Sequence, residues 1–334
     1  MINKQSTEQL KGIAIILVVL GHLFVTKFID SSNHTFNYFG AEGVGIFLIL
    51  SGYGLTTSFL KNGMDKSFLV RRIRAVMLPY ALVTTLWLML DYFKGKMYSL
   101  KTIVLSLVGF DLQLTMDATM WYITFILMWY LIYYLIFSLK LPNILSVGLL
   151  FGAAYLFRYH SQMNFTEQVY WQWGLHSFMF PLGALFALFR QPGFSEKIVN
   201  VGLGLFGLLG FWVYNINVIN NDLGLGPYMV SNFSFSVAIL SLMIIIERCG
   251  LYSRLLRFIG SISFEIYLFE AVFMYRLGIP YILPNKFLSL GLYLIILIGS
   301  SLLLKKLIAL LLKGFTLSLH TNRKSGPGQN LSGS

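Results

Sequence analysis

Apolar runs long enough to cross about 30 Å of hydrocarbon recur along this 334-residue chain and leave it few ways to fold. They fall at 12–29, 40–60, 76–93, 121–139, 144–157, 173–189, 198–219, 228–246, 259–279 and 288–312. Within lipid every backbone N–H and C=O must be paired inside the chain, so runs of this length are helices. The sequence therefore predicts an all-α, polytopic membrane bundle of about ten transmembrane helices. The fifth run is short, and the apolar stretch 100–116, bounded by Asp111 and Asp117, reads as an interfacial or re-entrant helix. Composition agrees. Charged residues are 11% of the chain, against about 25% in a typical soluble domain, and hydrophobic residues are 57%. A single cysteine, Cys249, excludes an intrachain disulfide and a Cys-rich zinc site.

The net charge of +12 is better explained by topology than by nucleic acid. Threading the chain through ten spans with both termini on one side puts 18 of the 25 Lys and Arg residues on that side. The positive-inside rule then places both termini in the cytoplasm. The first run is long, has Lys27 where a cleavage site would fall, and reads as a retained span rather than a leader. Residues 1–315 are expected to form one membrane domain. Residues 316–334 are Ser/Gly/Asn-rich without an apolar run and read as a disordered cytoplasmic tail.

Ionisable groups inside spans are costly, and they mark candidate sites. Lys11 and His22 are eleven residues apart, about 1,100° of helical rotation and only about 20° beyond three turns. They share one stripe, about 16 Å apart along the axis, with Lys11 at the cytoplasmic mouth and His22 deep in the bilayer. A snorkelling lysine and a histidine bonded to a neighbouring helix would satisfy the same pattern. Arg71, Arg72 and Arg74 precede the third span. Arginine's planar fork suits phosphate, and such a cluster also serves as a head-group anchor. In the span 259–279, Glu265 and Glu270 lie about 140° apart around the helix. Tyr267 and Glu270 share a face, as a site or as a polar pair joining helices.

Other chemistries fit poorly. Gly202, Gly204 and Gly207 match a dinucleotide-binding spacing but lie inside an apolar span with no preceding strand. With Gly210 they are expected to form a small-residue packing face. The five histidines, at 22, 34, 160, 176 and 320, offer no pair with metal-ligand spacing on one helix, and His176 reads as structural. If the chain carries out chemistry, the residues point to general base catalysis by an imidazole, whose unperturbed pKa of about 6.5 suits the task.

The order of motifs resembles the membrane-integral acyltransferase family 3, over about residues 5 to 312. The resemblance rests on Lys11 followed by His22, on Gly43-Val44-Gly45-Ile46-Phe47-Leu48-Ile49-Leu50-Ser51-Gly52, and on the arginine cluster leading to Pro79-Tyr80. Trp121-Tyr122, Pro181-Leu182-Gly183-Ala184 and Ile262 to Leu268 match later landmarks. Lys11 replaces the family's commoner arginine, Gly45 stands where many members have an acid, and Glu270 where many have histidine. The resemblance implies acyl transfer from acyl-CoA, acetyl or succinyl, to a hydroxyl of a cell-surface or lipid-linked glycan. His22, as a base or an acyl relay, and Glu270, from its place in the outer half of the span 259–279, are the catalytic candidates. Lys11, Arg71, Arg72 and Arg74 become candidates for holding the donor's phosphates. No cofactor is expected beyond this co-substrate, and an envelope-synthesis protein is a possible partner. A transporter or flippase for a lipid-linked sugar would use the same polar interior without covalent chemistry.

Overall fold

The computed structural model describes residues 3–30, 34–65, 67–115, 117–163, 168–189, 196–219 and 225–324. Among them there is helix and no strand. In chain order the helices are α1 (Lys4–Val25), α2 (Phe39–Asn62), α3 (Phe68–Phe93), α4 (Leu100–Leu107), α5 (Trp121–Ser138) and α6 (Asn143–Met163). There follow α7 (Gln168–His176), α8 (Met179–Phe189), α9 (Glu196–Ile219), α10 (Leu225–Arg248), α11 (Arg254–Ser261), α12 (Ser263–Ala271) and α13 (Lys286–Lys324).

Six of these are long and apolar enough to cross a membrane among the described residues: α1, α2, α3, α5, α10 and α13. A seventh candidate is α11 with α12 and the π turn Val272–Arg276, a pair bent by 65°. The expected count of ten additionally needs α6, the broken α7–α8 and α9. These are helical over the expected ranges but fall short of that test. The stretch 100–116 yields only the short α4, whose Leu100 and Val104 are exposed. The expected tail begins inside α13, which runs on to Lys324; residues 325–334 lie outside the described residues.

Packing inside lipid gains little from the hydrophobic effect and depends on close contact. At Gly52 and Gly183 α2 and α8 touch backbone to backbone, so a Cβ on either would collide with a carbonyl of the other. Gly21 of α1 likewise lies against the Gly40 backbone of α2. The expected glycine face on α9 is only half realised. Gly207 and Gly210 pack on Ser241 and Ser234 of α10, whereas Gly202 and Gly204 face open space, because they lie beyond the reach of that contact. An aromatic block on α5 fills the centre: Trp129 stacks on Phe180 at 5.0 Å and Tyr133 on Phe137 at 4.2 Å.

Candidate active site

The bend between α11 and α12 aims one face of α12 at α1. Lys305 of α13 donates to the Ser261 carbonyl at 2.5 Å, holding the corner. On that face, Glu270 meets His22. Its two carboxylate oxygens lie 2.9 Å from His22 Nδ1, and its side chain is fully buried. A carboxylate only accepts, so Nδ1 carries the hydrogen and Nε2 is left with a lone pair. Tyr275 packs edge-on to the imidazole at 5.8 Å. Gly40 of α2 lies beside Nε2: a Cβ added there would come to 3.9 Å from it, an ordinary contact.

His22 lines a cavity of about 560 Å³ at the end of the bundle that carries the C-terminus of α1. Tyr122, Tyr267, Tyr275, Gln172 and Asp117 contribute polar lining. Tyr267, one turn before Glu270, donates to the Thr119 carbonyl and so joins α12 to the start of α5. As the helical spacing requires, Glu265 points elsewhere, toward Lys11 and Lys305. His176 is buried with its ring nitrogens 2.8 Å from the Gln172 carbonyl and 3.1 Å from that of Ala41, a structural position outside the cavity lining.

The cationic cluster divides. Arg72 turns inward, half-buried, with its guanidinium 5.9 Å from the Phe68 ring and close enough to Lys11 for the two charges to act on each other. Arg71 is exposed and bonded to Asp65 and Ser67. The Ser67 hydrogen bonds and the Arg71 guanidinium hold the Asp65 carboxyl well below the usual carboxylate range. Arg74 is exposed. The structure therefore brings Lys11 and Arg72 together and sets Arg71 and Arg74 apart from them. The cavity lining stops at Tyr122 and Tyr267 and does not reach Lys11 or Arg72. Along α5 between the two places stand Tyr122 and Tyr130, both facing the Ser51 hydroxyl of α2.

Two residues of this site are not among the site candidates read from the sequence. Asp117 lies buried against the cavity, its Oδ1 fixed at 2.8 Å by both the backbone N–H and the hydroxyl of Thr119. Burial pushes its carboxyl up, against the lowering effect of the Thr119 hydrogen bonds. Its only sequence signal is an acid two residues before a Thr at a helix start, which reads as a cap. Arg276, also in the lining, is bonded to Asp91, and Tyr98 donates to the same carboxylate oxygen at 2.6 Å. Nothing in the sequence relates residues 91 and 276.

A histidine bonded through one ring nitrogen to a buried carboxylate, with its other nitrogen opening into a polar cavity, is an arrangement able to accept a proton. The model of a family described as an acyltransferase domain matches residues 5–306. The chain belongs to that family, acyltransferase family 3, and is a multi-pass membrane acyltransferase. Family membership decides against the carrier that a polar interior alone allowed. No curated protein and no solved structure matches the chain.

Proposed function

We propose that the protein moves an acyl group, acetyl in the simplest case, from cytoplasmic acyl-CoA to a hydroxyl of a cell-surface or lipid-linked glycan at the cytoplasmic membrane. The observation that carries this reading is the His22–Glu270 contact, with Nε2 facing the cavity. Nε2 takes the proton of the acceptor hydroxyl as its oxygen attacks the thioester carbonyl. The carbon–sulfur bond then breaks, and the imidazolium returns the proton to the departing sulfur, leaving an ester and free CoA. Glu270 acts through His22, holding its tautomer and stabilising the imidazolium. The Asp117 carboxylate accepts from a neighbouring acceptor hydroxyl, which favours polyhydroxyl acceptors over simple alcohols.

With ten spans and both termini in the cytoplasm, the Lys11–Arg72 end faces the acyl-CoA pool and the His22 cavity faces outward. Lys11 and Arg72 hold the donor's phosphates. The pantetheine arm passes Ser51, Tyr130 and Tyr122, over an axial distance of about 16 Å. Mass spectrometry of envelope glycans tests the reading, using cells with the intact gene, with a deletion and with His22→Ala. Acylated glycan is expected only with the intact gene. Identical acylation in all three strains would sink the glycan acceptor. Unchanged tryptophan fluorescence of the purified protein on adding acetyl-CoA would count against that donor.

A further inference from the structure

A second buried polar cluster lies across α2 from the His22 cavity and has no part in the acyl-transfer scheme. Helices α2 and α10 start side by side at the cavity, where Tyr38, just ahead of α2, and Tyr228 pack ring to ring at 4.6 Å. Four residues further along each come Glu42 and Asn232, and at the next turn Gly45 and Ser236. The missing Cβ of Gly45 makes room for the cluster: an atom there would lie 2.7 Å from both Asn232 Oδ1 and Ser236 Oγ. From α9, the Tyr214 hydroxyl faces Glu42. Glu42 is 1% exposed, Asn232 and Ser236 are 0% exposed, and Tyr214 is 6% exposed. Even so, both Glu42 oxygens, both Asn232 amide atoms, Ser236 Oγ and Tyr214 Oη lack a well-formed hydrogen bond.

So many unpaired polar atoms at one helix contact are costly in any protein interior, and more so inside a membrane bundle. Among the described residues no lysine, arginine or histidine makes an ion pair with Glu42. When Glu42 is ionised, the cluster therefore holds one negative charge with no cationic side chain to balance it, beside oxygen donors from three helices. Oxygen ligands suit hard cations. One carboxylate balances a single positive charge, whereas a divalent ion would leave net charge buried.

From this geometry we infer that Glu42, Asn232, Ser236 and Tyr214 form a buried site for one small monovalent cation of the sodium type. The ion fastens α2 to α9 and α10, and α2 also carries Gly40 beside His22 Nε2. The inference is independent of the identity of donor and acceptor.

The test is thermal unfolding of the full-length protein in lipid nanodiscs, with sodium chloride replaced by choline chloride at constant ionic strength. The wild-type Tm is expected to rise with sodium, by about 5 °C at about a hundred times the dissociation constant. Glu42→Gln, which keeps the shape and removes the charge, is expected to abolish that dependence, and Asn232→Ala to weaken it. A wild-type Tm that is equal in sodium and choline overturns the site and points to a carboxyl kept neutral by a proton. A full sodium response in Glu42→Gln overturns it equally. Should the variants fail to fold, radioactive sodium binding to the wild type decides: one ion per chain is expected, and none refutes the site.

Discussion

Glu270 and His22 are 248 positions apart in the chain, and their contact decides which imidazole nitrogen is free. If the tautomer matters, the two residues should fail differently. His22→Ala removes the base and is expected to abolish transfer of labelled acetyl groups in membranes, with the protein still folded and monodisperse in detergent. Glu270→Gln keeps the volume but can present its amide N–H to Nδ1, which stabilises the wrong tautomer. A loss of about 10²- to 10⁴-fold in kcat is expected, with little change in acyl-CoA binding. Full activity in Glu270→Gln would reduce the carboxylate to a packing group. Asp117→Asn is a third case, in which the acceptor KM should rise while donor affinity holds.

At the scale of single helices, two contrasts follow from which faces are used. On α3, Arg72 points inward beside Lys11, while Arg71 is engaged by Asp65 at the surface. Arg72→Ala is therefore expected to weaken acyl-CoA binding about 10- to 100-fold, the worth of a charge-assisted contact. Arg71→Ala should stay within about twofold. Equal effects of the two substitutions, measured by titration of tryptophan fluorescence, would mean a diffuse anchor rather than a site. The glycines sort in the same way. Gly183 lies against the α2 backbone and Gly204 faces open space. Gly183→Val should lower Tm by several degrees or prevent folding, and Gly204→Val should leave it nearly unchanged.

The whole molecule has an asymmetry that one cysteine can report. Cys249 is exposed, follows the last residue of α10 and lies at the end of that helix opposite the His22 cavity. In the proposed orientation this end is cytoplasmic. A membrane-impermeant maleimide should leave Cys249 unlabelled in intact cells and label it after permeabilisation. Labelling of intact cells would invert the molecule and put the Lys11–Arg72 mouth outside, where no acyl-CoA pool exists.

Much of this architecture follows from local pattern. Each long apolar run became helix because lipid offers the backbone no other partner. The shared stripe of Lys11 and His22, and the divergence of Glu265 from Glu270, follow from 3.6 residues per turn. Those relations act within one helix, so the linear chain determines them. Tertiary packing alone decided that Glu270 reaches His22, that only Arg72 of its cluster turns inward, and that Asp117 and Arg276 enter the cavity lining. It also broke the sixth run into α7 and α8 and left Gly202 and Gly204 facing open space. The physical reason is that contacts between helices depend on bends and on backbone approach at a few glycines, and helical periodicity carries no information about which faces will meet.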